Sequence, residues 1–137
     1  ESKGPSAPLQ PRLAELAAGP LSERGGALVL EALVAPGLGD PKSHDLTGFE
    51  ALTNKIHLED HVDAGCRGDA MLQQGIRYAE ALVARFSRKK GAFRVVLSRD
   101  PDLDDVTVRF FTRRPEQPWG SDDPEEFEME EIAQWDV

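Results

Sequence analysis

A chain of 137 residues with 39% hydrophobic content fits one domain with an ordinary core and excludes a disordered polymer. Its formal net charge of -9 excludes binding driven by neutralising phosphates, because the mean field repels a polyanion. The longest apolar run, Ala27 to Pro36, is broken by Glu31 and is too short to cross a bilayer, so no membrane segment is expected.

The charge is unevenly distributed. Residues 1–66 carry 10 acids and 5 bases, residues 67–115 carry 6 acids and 11 bases, and residues 116–137 carry 9 acids and no base. A basic middle is therefore followed by a strongly acidic tail. The lone cysteine, Cys66, excludes an internal disulfide and favours a reducing, cytoplasmic setting.

Proline, glycine and serine dominate the first eight residues, which are expected to be disordered, leaving 9–137 as a single domain. Leu9, Leu13, Leu16 and Ala17 recur at helical spacing until Gly19-Pro20 stops the pattern. In the run GGALVLEALVAPG, leucine, alanine and glutamate favour helix, while the paired glycines and two valines suit a strand; helix is the expectation. Gly37 to Ser43 reads as a loop. Thr47 and Glu50 have the spacing of a capping box, and a short helix from Gly48 to about Thr53 is expected to hand over to a strand in KIHLED.

The clearest helix is DAMLQQGIRYAEALVARFSRKK. Met71, Leu72, Ile76, Ala79, Leu82, Val83 and Phe86 share one face, with Asp69 as its cap and Gly91 as its end. AFRVVLS and DVTVRFFTRR, joined by RDPDLDD, predict a β-hairpin. Phe93, Val95 and Leu97, with Val106, Val108 and Phe110, should face the helix, leaving Arg94 and Arg109 on the outer face. The tail predicts a third strand whose Glu126, Glu128 and Glu130 would neutralise Arg94, Arg109 and Arg113. The fold class is α+β: N-terminal helices and one long amphipathic helix on a small, mainly antiparallel sheet built by the C-terminal half.

No catalytic set is complete. His57 and His61 have the spacing of the zinc-protease helix motif, but Leu58 stands where that motif needs glutamate. On a helix the two imidazoles converge; on a strand they stand about 13 Å apart and cannot share a metal. The alternation in KIHLE favours the strand. Adding His44 and Cys66 matches no compact zinc module, and a cysteine–histidine nucleophilic pair lacks an orienting third group. Asp100, Asp102 and Asp104 open like a calcium loop, but Asp105 replaces its glycine and Phe111 its final glutamate, so a turn is the better reading.

The leading functional expectation is a non-enzymatic acidic interaction protein, such as an inhibitor or immunity protein, that binds a basic protein partner, for example a nuclease or toxin. It needs no cofactor and no direct contact with nucleic acid or membrane. Trp119, Asp122, Asp123, Glu125 and Glu126 would carry the binding, with the tryptophan as an anchor ringed by acids; the same tryptophan, between Pro118 and Gly120, reads equally well as a cap on the core. The alternative is a small metal-dependent hydrolase using His57, His61 and a neighbouring carboxylate, Asp60 first and otherwise Glu59 or Asp63. Self-association into a homodimer through the hairpin edge is a third possibility.

Overall fold

The computed structural model describes residues 8–37, 39, 41, 45–100, 105–119 and 130–137. It has the expected α+β class, with three helices and two antiparallel sheets. Helix α1 spans Pro11–Ala17, with proline in its first turn, where a missing N–H costs nothing. Leu13, Leu16 and Ala17 point inward. Pro8 is already tied down, because its carbonyl accepts from the Gln74 side chain at 3.0 Å.

Strands β1 (Leu21–Arg24) and β2 (Ala27–Leu30) form a hairpin that overturns the expected helix over this region. Gly25 and Gly26 both have positive φ, +58° and +93°. That conformation is what a two-residue hairpin turn requires, and glycine adopts it without a Cβ clash. Cross-strand pairing and the burial of Ala27, Val29 and Leu30 outweigh a propensity difference of about 0.5 kcal/mol per residue. Residues Glu31–Leu33 close the segment with a 3-10 turn.

Helix α2 (Leu46–Thr53) is capped by Asp45, whose carboxylate accepts from the Gly48 N–H at 2.9 Å. Thr47 therefore lies inside the helix, and Glu50 is a fully buried residue rather than half of a capping box. Strand β3 is two residues long, Ile56–His57, and a 3-10 turn over Leu58–Asp60 follows it.

Helix α3 (Gly68–Phe86) begins at an Arg67 cap position, with Asp69 in the first turn, where a negative charge favours the helix dipole. Its buried stripe is Met71, Gln74, Gly75, Tyr78, Ala79, Leu82 and Phe86. Leu72, Ile76 and Val83, expected at its centre, flank it half-buried. A Cβ on Gly75 would meet Leu97 Cδ1 and Val106 Cγ1 at 3.0 Å, so this glycine lets the helix approach the sheet closely.

Strands β4 (Phe93–Asp100), β5 (Asp105–Thr112) and β6 (Glu130–Asp136) complete a four-stranded antiparallel sheet of order β3-β5-β4-β6. Both long edges of the hairpin are thereby contacted: β6 runs along β4, and β3 pairs with Val108 and Thr107 of β5. Phe93, Val95, Leu97, Val106, Val108 and Phe110 face α3 as expected. Phe86 stacks on Phe93 at 4.7 Å between centroids and tilts against Phe110 at 4.9 Å. Each such fully buried side chain contributes about 1.5–3 kcal/mol.

The second face departs from expectation. It was to be a polar outer surface, but Val96 and Phe111 pack there against Ala51 of α2, with Trp119 alongside. Arg109 is buried on it, only 1% exposed. Arg94 and Arg109 are not direct cross-strand partners, since Arg94 stands opposite Phe111 and Arg109 opposite Val96. Strand β6 does supply an acid, but it is Asp136 that takes Arg94 in two hydrogen bonds, at 2.6 and 3.0 Å. Glu126 and Glu128 lie outside the described residues.

Candidate functional site

The stretch that carries two histidines is shaped by its apolar neighbours. Ile56 and Leu58 are buried, so His57 between them turns toward the surface. In the β3–β5 register His57 pairs with Thr107, which makes Asp105, two residues away on the same side of β5, its diagonal neighbour. His57 Nδ1 lies 3.2 and 3.1 Å from the two carboxylate oxygens of Asp105. Both side chains are partly screened, at 30% and 19% exposure.

The 3-10 turn then carries Glu59 back over the same corner. One ligand atom from each of His57, Glu59 and Asp105 falls within a span of 4.8 Å. The Glu59 carboxyl is held above its usual range, first by a hydrogen bond with Asp105, then by burial and by the charges of Asp105 and Asp60, against a smaller opposing effect of His57. Glu59 also borders a cavity of about 390 Å³ lined by Val62, Asp63, Cys66, Arg67 and Met71 among others. Burial, and to a lesser degree the Asp63 charge, push the Cys66 thiol up, which makes it a poor nucleophile.

His61 does not join this corner. Among the described residues no group of three metal-ligating side chains includes His61 or Asp60. The ordinary strand geometry expected for the pair ends at His57, because the chain turns at Leu58. Burial lowers the His61 pKa; Asp60 opposes the shift and Arg12 adds to it. His44 lies outside the described residues.

A second site lies on the far face of the sheet. Trp119 is half-buried, 5.3 Å from Phe111 between centroids and 4.9 Å from the Arg109 guanidinium carbon. It borders a cavity of about 440 Å³ with Thr47, Arg94, Phe111, Arg113 and Arg114. Asp122, Asp123, Glu125 and Glu126, expected to act with Trp119, lie outside the described residues.

Arg109 and Arg114 are turned inward, while Arg113 stays exposed. Arg114 donates to both oxygens of buried Glu50, at 3.0 and 2.8 Å. Glu50 accepts in addition from the backbone N–H of Leu28 at 2.6 Å and of Thr112 at 2.7 Å, which ties β2 and β5 to α2. Arg109 donates to the Ala51 carbonyl at 3.2 Å. Arg85 caps α1 through the Ala17 and Gly19 carbonyls, and Arg113 donates to those of Phe93 and Val137. Glu50 and its partners were missed from the sequence, where the only signal was a glutamate at a capping-box position.

Among the described residues no helix is long and apolar enough to cross a membrane. The chain belongs to the Uncharacterized protein PM0498 family, whose model matches residues 1–137. No curated protein and no solved structure matches it.

Proposed function

We propose that this protein acts without catalysis, by presenting an acidic surface to a basic protein partner in the manner of an inhibitor or immunity protein. The observation that carries this reading is the excess of acids over bases on the exposed surface, together with the use of several arginines within the chain. Arg85, Arg94, Arg109, Arg113 and Arg114 are engaged with carbonyls or carboxylates of the same chain. Among the described residues eleven acids but only six bases, Arg113 among them, are exposed, so an acidic excess faces outward. Such a field steers a basic partner and repels nucleic acid. A cytoplasmic setting is part of the same proposal, on the strength of the lone thiol.

Trp119 packs on the second core of Ala51, Val96 and Phe111, which agrees with the core-capping reading and leaves the anchor role a proposal. One part of the indole is committed to Phe111 and Arg109, so a partner would meet only its remaining exposed edge. Binding energy then falls mainly to Asp122, Asp123, Glu125 and Glu126.

The test compares immobilised wild-type chain with a variant carrying Asp122→Asn, Asp123→Asn, Glu125→Gln and Glu126→Gln. Proteins retained at about 50 mM salt and released at about 500 mM, where screening shortens to a few ångströms, are identified by mass spectrometry. Basic proteins held by the wild type and lost by the variant are expected. An unchanged retained set, or one without basic proteins, overturns the reading.

A further inference from the structure

We propose that His57, Glu59 and Asp105 form a binding site for one divalent first-row cation of the zinc or manganese class. Three different elements supply the donors: β3, the 3-10 turn after it and the start of β5. The 3.1 Å between His57 Nδ1 and Asp105 Oδ2 is close to the separation of two neighbouring donors on one metal, about 3.0 Å in an octahedral and about 3.4 Å in a tetrahedral shell with bonds of about 2.1 Å. The third donor lies within 4.8 Å of both, and Glu59 is exposed, so its side chain is not locked by packing.

An ion pair serving the fold alone would need only His57 and Asp105. Glu59 is the surplus: its turn sets a second carboxylate beside the first, where like charges repel and a cation between them relieves the repulsion. Two carboxylates and a neutral imidazole together match a divalent charge. The donor set mixes nitrogen and oxygen without thiolate, which suits zinc or manganese over copper(I) or calcium. Ile56, Leu58 and Val106 are buried beside the donors and hold the backbone in place, so the site is preformed on two of its three sides. Three protein donors leave further positions open on the cation, and Glu59 also lines the 390 Å³ cavity together with Arg67. This site is independent of the acidic docking surface and stands or falls separately.

Calorimetric titration of the full chain with zinc chloride and with manganese chloride tests it. A single equivalent is expected for at least one of the two metals, with affinity lowered by at least about tenfold in Glu59→Gln and in His57→Ala, and unchanged in His61→Ala. Glu59 is exposed, so Glu59→Gln leaves the fold intact, and a thermal melt without metal verifies this for each variant. The absence of saturable binding of either metal overturns the proposal. So does binding that survives Glu59→Gln, or that depends on His61 instead.

Discussion

The guanidinium carbon of Arg109 lies 4.9 Å from the centroid of the Trp119 ring, on the face of the sheet opposite α3. A charge buried there is compensated by the indole face and by the Ala51 carbonyl, among other contacts. Trp119 closes the second core of Ala51, Val96 and Phe111, and is therefore a structural residue whatever it also binds.

Trp119→Ala should lower stability by about 2 kcal/mol, combining lost apolar burial with a partly desolvated cation–π contact. Trp119→Phe should recover about half of that. Urea denaturation followed by the fluorescence of Trp135 measures both, and a cost below about 0.3 kcal/mol would free the indole for binding alone.

Glu50 and Arg114 form the second buried electrostatic unit. Glu50→Ala should cost about 3–5 kcal/mol, because it removes the carboxylate partner of Arg114, which among the described residues keeps only Thr47 Oγ1 and the Gly26 carbonyl, and the acceptor of the Leu28 and Thr112 N–H groups. Arg114→Ala should cost nearly as much. The double variant should fall short of the sum by more than about 1 kcal/mol, as residues sharing one network do. Additive losses would show that the two side chains act separately.

Gly75→Ala sets two effects against each other. Alanine raises helix propensity by about 1 kcal/mol, but its methyl would press on Leu97 and Val106, each at 3.0 Å and both fully buried. Overpacking of a closed core costs about 1–3 kcal/mol, so net destabilisation of about 1 kcal/mol is expected. A rise in Tm would show that the two side chains can move aside.

The Tyr78 hydroxyl is buried with no hydrogen-bond partner among the described residues, and burial raises its pKa well above the usual value. Tyr78→Phe removes an unsatisfied donor at nearly constant shape, so it should be neutral or stabilising by about 1 kcal/mol. A loss of more than about 1 kcal/mol would reveal a hydrogen-bond partner.

The Arg94–Asp136 pair predicts a pH dependence. Hydrogen bonding and charge from Arg94, with a lesser effect of Arg113, hold the Asp136 carboxyl below its ordinary 3.8. The folded state thus binds this proton less readily than the unfolded chain. The stabilisation is present above the ordinary value and is lost as pH falls through the folded one. The pair is partly exposed, so Asp136→Asn should cost only about 0.5–1 kcal/mol at pH 7. That difference should vanish in acid, below the lowered pKa; a constant difference across the titration would assign it to packing instead.

The features that repeat locally could be read from the order of residues. The amphipathic stripe of α3, the alternation in β4 and β5, and the segregation of acids from bases are all periodic or compositional, and each is legible without knowing what lies opposite. The glycine pair at 25–26 was equally visible, but its meaning was not. Alanine and leucine in the following run suit a helix until a partner strand offers its hydrogen bonds.

Tertiary structure alone decided the partners. His57 meets Asp105 across 48 residues of chain because β3 pairs with β5 in one register and not another. Glu50 meets Arg114 across 64 residues for the same kind of reason. The alternating pattern around Arg109 predicted which residues share a face; only the packing of α2 and Trp119 determined that this face is covered. Periodicity is set by each element's own backbone, whereas register and burial arise from contacts between elements, and a single chain read in order does not contain those contacts.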